Sequence, residues 1–160
     1  MTGHAIHRTS LEEEGRHILE ECRVTAVGVQ ALLGFQLLSI LTPALYDRLD
    51  QSLRLVHLSG IVLVLVSMFL LLAPSAYHRL AESSLVSAEF VDSAASLMGW
   101  AMAALRLGLV LEAYTAARAL GLAHAPSAWL AGGLFLASWA LWSLWPRISV
   151  MRLAPNPKSD

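Results

Sequence analysis

Arg106 and Glu112 most need a chemical explanation, because both interrupt an otherwise apolar run from Ser93 to Ala117. A charged side chain at the centre of a membrane-spanning helix costs about 2.5–3.5 kcal/mol on insertion scales, so it persists where it is partnered or used. Six residues separate the two, about 9 Å along a helix axis and about two-thirds of a turn around it. They are not a pair on one face, and each requires a partner from another helix or another subunit. Matching depths across four antiparallel spans predicts two polar layers: Gln36, Ser67 and Ser138 level with Arg106, and Thr42, His57 and Ser59 level with Glu112. One reading of these layers is an ion path. In it Glu112 and His57 exchange protons or hold a cation, Arg106 tunes the field, and Gln36 and Gln30 are further polar members. The other reading is hydrogen-bonded glue between helices or protomers.

Other chemistries find little support. There is no phosphate-binding glycine loop, no pair of metal-ligating histidines four residues apart on a helix, and no strand-turn-helix serine motif. Ser, His and Asp residues are scattered without triad spacing, so no enzyme activity, cofactor or metal is expected. Bis-histidine haem ligation would need two histidines at matching depth within the spans, whereas His17, His57 and His78 fall near span ends. The single cysteine, Cys22, excludes an internal disulfide and reads as an inert thiol near the membrane surface. A net charge of -1 offers nothing to nucleic acid.

The elements that position these residues follow from composition. Hydrophobic residues make up 56% of the 160 and charged residues 14%, about half the charge of an average soluble domain. Cutting the chain at its charges leaves four apolar stretches at about 24–46, 55–77, 93–117 and 127–145. Each is long enough, as a helix, to cross a hydrocarbon core that needs about 20 residues. Lipid offers no hydrogen bonds, so the backbone must satisfy itself within each segment, and helices do that. The expected fold is all-α: an antiparallel four-helix transmembrane bundle in a single domain. An amphipathic helical extension over 11–23 precedes the first span. There Ser10 and Glu13 match a capping box, and Glu13, Arg16, Glu20 and Arg23 form a stripe of alternating sign. The stripe continues through Val27, Gln30 and Gly34, with no proline before Pro43. Five glutamates precede the first apolar residue of the span, Val24, so the N-terminus is not expected to be a cleaved signal. The 74–92 connection is expected to hold a helical extension, and the 152–160 tail to be disordered.

Basic residues orient the chain. Arg8, Arg16, Arg23, Arg79, Arg147, Arg152 and Lys158 fall on one side, against Arg48, Arg54 and Arg118 on the other. The richer side is expected to be cytoplasmic, with both termini inside and the chain in the cell (inner) membrane. Tyr77, His78, Arg79, Trp142 and Trp145 then lie where interfacial anchors belong. Trp129 marks the opposite end of the fourth span, and Gly132-Gly133 would admit another helix.

Two runs, His17 to Arg23 and Gln30 to Leu37, together with the Ala-Tyr-His-Arg string inside Ala73 to Leu80, resemble a family of small bacterial four-span membrane proteins of unknown function. Some of its members carry a sodium/proton antiporter label. The likeness covers residues from about 12 to 80; the second half, Arg106 included, matches in hydropathy alone. It implies membrane location and architecture. From the polar layers, the expectation is permeation or exchange of a proton or monovalent cation by a homo-oligomer, with the lipid bilayer as the other partner. The alternative is a non-catalytic accessory or structural membrane subunit.

Overall fold

The computed structural model describes residues 2–43, 47–81 and 86–148. Four helices account for almost all of them: α1 (Thr2–Ile40), α2 (Gln51–Ala81), α3 (Ala88–Ala119) and α4 (His124–Trp139). A π-helical turn, Ala140–Leu144, follows α4, and helix then resumes to residue 148. No strand occurs among the described residues. Four helical segments are long and apolar enough to cross a membrane: Leu11–Ile40, Gln51–Leu80, Ala88–Ala119 and His124–Ile148.

The all-α bundle expected from the sequence is the architecture observed, with different helix ends. Helix α1 is continuous through the charged segment into the apolar one, but it starts at Thr2, so Ser10 lies inside it and does not cap it. It ends at Ile40, six residues before Tyr46. Pro43 has no N–H and its ring crowds the carbonyl four residues back, so the helix cannot run through it unperturbed. The last bonds already loosen, with Leu41 N–H to the Leu37 carbonyl at 3.4 Å and Thr42 N–H to the Ser39 carbonyl at 3.3 Å. Helix α2 begins four residues before Leu55, because Asp50 caps it: the Leu53 N–H donates to Asp50 Oδ1 at 2.8 Å. That bond holds the Asp50 carboxyl below the usual aspartate range. Arg54 thereby falls inside the helix, its Nε–H donating to the Leu49 carbonyl at 2.9 Å.

Pro74 is buried within α2, which continues past it to Ala81. Helix α3 opens on Ser87, whose hydroxyl accepts from the Phe90 N–H at 3.1 Å. Its other end closes on Gly121, at φ +90°. There Gly121 N–H donates to the Arg118 carbonyl and Leu122 N–H to the Ala117 carbonyl, the paired bonds of a Schellman motif, which favours glycine at that position. The 152–160 tail lies outside the described residues.

Helices α2 and α3 form the central pair, α1 packs on both, and α4 packs on α3. The main core gathers Cys22, Ala26 and Val29 from α1, Val64 and Leu71 from α2, and Ala101 and Leu105 from α3. Gly108 sets the α2–α3 approach: a methyl group there would sit 2.8 Å from a Val64 methyl and 3.0 Å from the Gly60 carbonyl. Large apolar side chains such as Phe35, Phe69, Trp100 and Trp129 point outward. In water such a surface would be a liability, and in hydrocarbon it is the expected exterior.

A Gly108→Val variant is expected to push α2 and α3 apart and lower stability by about 1–3 kcal/mol, the usual cost of overpacking. Thermal unfolding in detergent micelles measures this, with Gly99→Val, where nothing lies within 4 Å of the added carbon, as the unaffected control.

Candidate functional site

Near the bundle end that carries the α1–α2 and α3–α4 connections, three helices each contribute one polar side chain to a chain of short contacts. Ser39 is in the last turn of α1, His57 in the second turn of α2, and Glu112 two turns before the end of α3. Ser39 Oγ lies 2.7 Å from His57 Nε2, and His57 Nδ1 lies 2.7 Å from Glu112 Oε2. The side chains are mostly buried, 6% exposed for His57 and 20% for Glu112. Glycine makes the approach possible, because any side chain at Gly60 would collide with the Glu112 carboxylate.

Proton bookkeeping follows from the partners. The single Ser39 hydroxyl proton is donated to the Gln36 carbonyl at 2.6 Å, which leaves Oγ as an acceptor. His57 Nε2 therefore carries a hydrogen and donates to it. The remaining contact, Nδ1 to Oε2, requires one proton between imidazole and carboxyl. With that proton the pair is neutral, as imidazolium–carboxylate or as imidazole–carboxylic acid. Removing it leaves one net negative charge in an apolar setting.

Gln36 completes the group. It is 8% exposed and its amide lies beside the Glu112 carboxyl, yet among the described residues neither its amide nitrogen nor its amide oxygen closes a hydrogen bond; Glu112 Oε1 is likewise buried without one. Orphaned buried polar atoms are rare in proteins and call for a water, an ion or a role. Both residues line a largely apolar cavity of about 370 Å³, with Phe35, Leu49, Thr115 and Leu120 among its other walls. His57 also lines a second cavity, of about 520 Å³, with Gln51, Arg54 and Leu58.

Of the residues flagged by sequence, Gln36, His57 and Glu112 converge. Gln36 belongs to the Glu112 layer and not to that of Arg106, because α1 ends six residues earlier than the apolar run suggests. Thr42 and Ser59 do not join the site; their hydroxyls donate to carbonyls of their own helices, Leu38 and Leu55. Arg106 is buried elsewhere. Its Nη2 donates to Ser143 Oγ at 3.1 Å and its guanidinium lies 5.8 Å from the centre of the Trp142 ring, a cation–π distance. Both partners sit in the π-helical turn that follows α4. Ser138, expected beside Arg106, donates to the Phe135 carbonyl instead, and Ser67 is buried with no partner for its hydroxyl among the described residues. Gln30 is exposed on α1, away from the cluster.

Among the expected anchors, Tyr77 stacks on Phe90 at 5.9 Å between centroids and His78 lies tilted against the same ring at 5.6 Å. Arg79 and Trp145 are exposed. Trp142 serves Arg106 as well as the surface. Sequence reasoning missed Ser39 and Ser143. Ser39 lies three residues from Gln36, on the same side of α1, and that spacing is the signal that would have found it. Among the described residues no three His, Cys, Asp or Glu side chains gather in the manner of a metal site.

Exchanging one member of the His57–Glu112 pair strands the other. His57→Phe and Glu112→Leu are each expected to lower stability by about 1–3 kcal/mol, the cost of an unsatisfied buried group. The double variant should lose less than the sum of the two, because it leaves neither partner behind. Thermal unfolding of all four proteins in one detergent checks this, and strict additivity would refute the contact.

With that geometry established, known proteins offer a family and no activity. A family model described as "Family of unknown function (DUF6328)" matches residues 7–146. No curated protein and no solved structure matches the chain.

Proposed function

We propose that this chain, which belongs to the family of unknown function whose model spans residues 7–146, exchanges protons and a small monovalent cation across a membrane as a homo-oligomer. The observation that carries the reading is the 2.7 Å contact between His57 Nδ1 and Glu112 Oε2, a proton-holding pair mostly shielded by three helices. Loss of its proton leaves a negative charge, and the unpartnered Glu112 Oε1 and Gln36 amide supply oxygens with which a cation would neutralise it. Proton and cation then compete for one carboxylate, the elementary requirement for exchange. The cavity shared by His57, Gln51 and Arg54 supports proton access from the loop end of the bundle. Ionisable residues within spans commonly mark such paths.

Seven basic residues against three across the two sides favour cytoplasmic termini in the cell (inner) membrane. The pair then lies in the outer half of the bilayer, closer to the exterior than to the cytoplasm.

A second reading, a non-catalytic accessory or structural subunit, is favoured by Arg106, whose contacts to Ser143 and Trp142 tie α3 to the end of the chain as structural glue. Proteoliposomes separate the two. With an imposed sodium or potassium gradient, the native protein should acidify or alkalinise the lumen, read by a trapped pH dye. Glu112→Gln should reduce that rate by at least about tenfold, as loss of an essential proton-transfer group does. Absence of flux in the native protein would leave the structural reading.

A further inference from the structure

Helix α1 carries a row of side chains that the protomer does not use. From Glu13 the row advances by three and four residues in strict alternation, the 3.5-residue period of a coiled-coil seam. Its charged part consists of Glu13, Arg16, Glu20 and Arg23, and all four are exposed. Its apolar part runs through Val27, Gln30 and Gly34, equally exposed, and on to Leu37 and Leu41, 46% and 76% exposed. The bundle is served by a separate row, Cys22, Ala26, Val29 and Gln36, all buried and about a third of a turn away around the helix.

Gln30 is the anomaly in that row. It lies ten residues before the end of α1, about 15 Å along the axis and so near the middle of a hydrocarbon core about 30 Å thick. It has no side-chain hydrogen bond among the described residues and faces outward. A primary amide in hydrocarbon without partners costs several kcal/mol. A primary amide carries two N–H donors beside its carbonyl acceptor, so two copies about a two-fold axis can each donate one N–H to the other's carbonyl. Gly34, one turn on, has nothing within 4 Å of the side chain it lacks, which lets a second backbone come close. In the charged part, carboxylates and guanidinia alternate. In an in-register parallel pair each carboxylate faces its own copy across the seam, in water beyond the hydrocarbon, and has a partner's guanidinium in the neighbouring layer.

We infer that α1 is a homodimer interface, the seam from Glu13 to Leu41 pairing in parallel with the same seam of a second copy, with the Gln30 amides bonded to each other at the membrane midplane. Two-fold pairing of one surface with itself is the commonest closed assembly, and a single polar residue within an apolar seam fixes its register. Ser39 stands five residues beyond Gly34, more than a third of a turn around the helix. The dimer therefore leaves the His57–Glu112 site on another side of α1. The inference specifies the homo-oligomer of the reading above and does not depend on which ion moves.

Oxidative cross-linking of full-length protein in native membranes tests it. Val27→Cys and Gly34→Cys should form covalent dimers, while Val62→Cys, equally outward on α2, should not; the native chain, whose Cys22 is buried, sets the baseline. In lipid vesicles Gln30→Leu should weaken dimerisation between several-fold and about tenfold, as read by fluorescence transfer between labelled copies, and Gln30→Asn should retain more of it than Gln30→Leu. If Gln30→Leu fails to accumulate, the cysteine variants decide alone. Equal cross-linking at Val62, or none at either α1 position, overturns the interface. Flux measured on the same vesicles keeps the two ideas apart: a monomer that still moves protons refutes the dimer and the oligomeric form of the exchanger but leaves the exchange standing, and a dimer that moves none refutes the exchange only.

Discussion

The bond between His57 and Glu112 is the constraint around which the rest of the bundle is arranged. A carboxyl and an imidazole in an apolar layer are tolerable only when each satisfies the other, and the fold makes their meeting unavoidable. Gly60 removes the side chain that would occupy the space of the Glu112 carboxylate, and Gly108, one turn away on α3, lets that helix lie against the Gly60 carbonyl. Asp50 starts α2 early enough that His57 faces inward in its second turn, and the end of α1 brings Ser39 to the second imidazole nitrogen. Sequence punctuation, helix ends and close packing thus converge on one proton.

Arg106 shows the other way a membrane protein accommodates charge. Its guanidinium has no carboxylate partner among the described residues and relies on a hydroxyl and an indole face. Both come from the π-helical turn after α4. Single π turns within α-helices are uncommon and recur at functional sites. Here the turn presents two consecutive residues, Trp142 and Ser143, to the same cation. Arg106 therefore fastens the last helix to the core pair, while Glu112, six residues further along α3, faces α1 and α2.

The membrane segments were legible because charge and proline punctuate them and because lipid permits few backbone solutions. Arg106 and Glu112 stand out for the same reason, and depth matching correctly puts His57 beside Glu112. It misplaces Gln36 because the apolar run continues past Ile40, where α1 ends. Six residues of helix amount to about 9 Å, the distance between the Arg106 and Glu112 layers. Ser39 was illegible for a related reason: a hydroxyl in the last turn of a helix ordinarily bonds its own backbone, as Ser39 also does. The partners of Arg106 depend on a π turn, for which the 3.6-residue periodicity carries no signal.

Protonation of Glu112 in the bilayer tests the central claim most directly. Infrared difference spectra of the native protein in lipid vesicles, taken between acid and alkaline conditions in which the helices stay folded, should contain a carboxyl C=O band that appears and vanishes reversibly. That band should be missing from Glu112→Gln and altered in His57→Phe. A spectrum in which no titrating carboxyl is removed by the Glu112 substitution would contradict a proton-exchanging pair at the heart of this bundle.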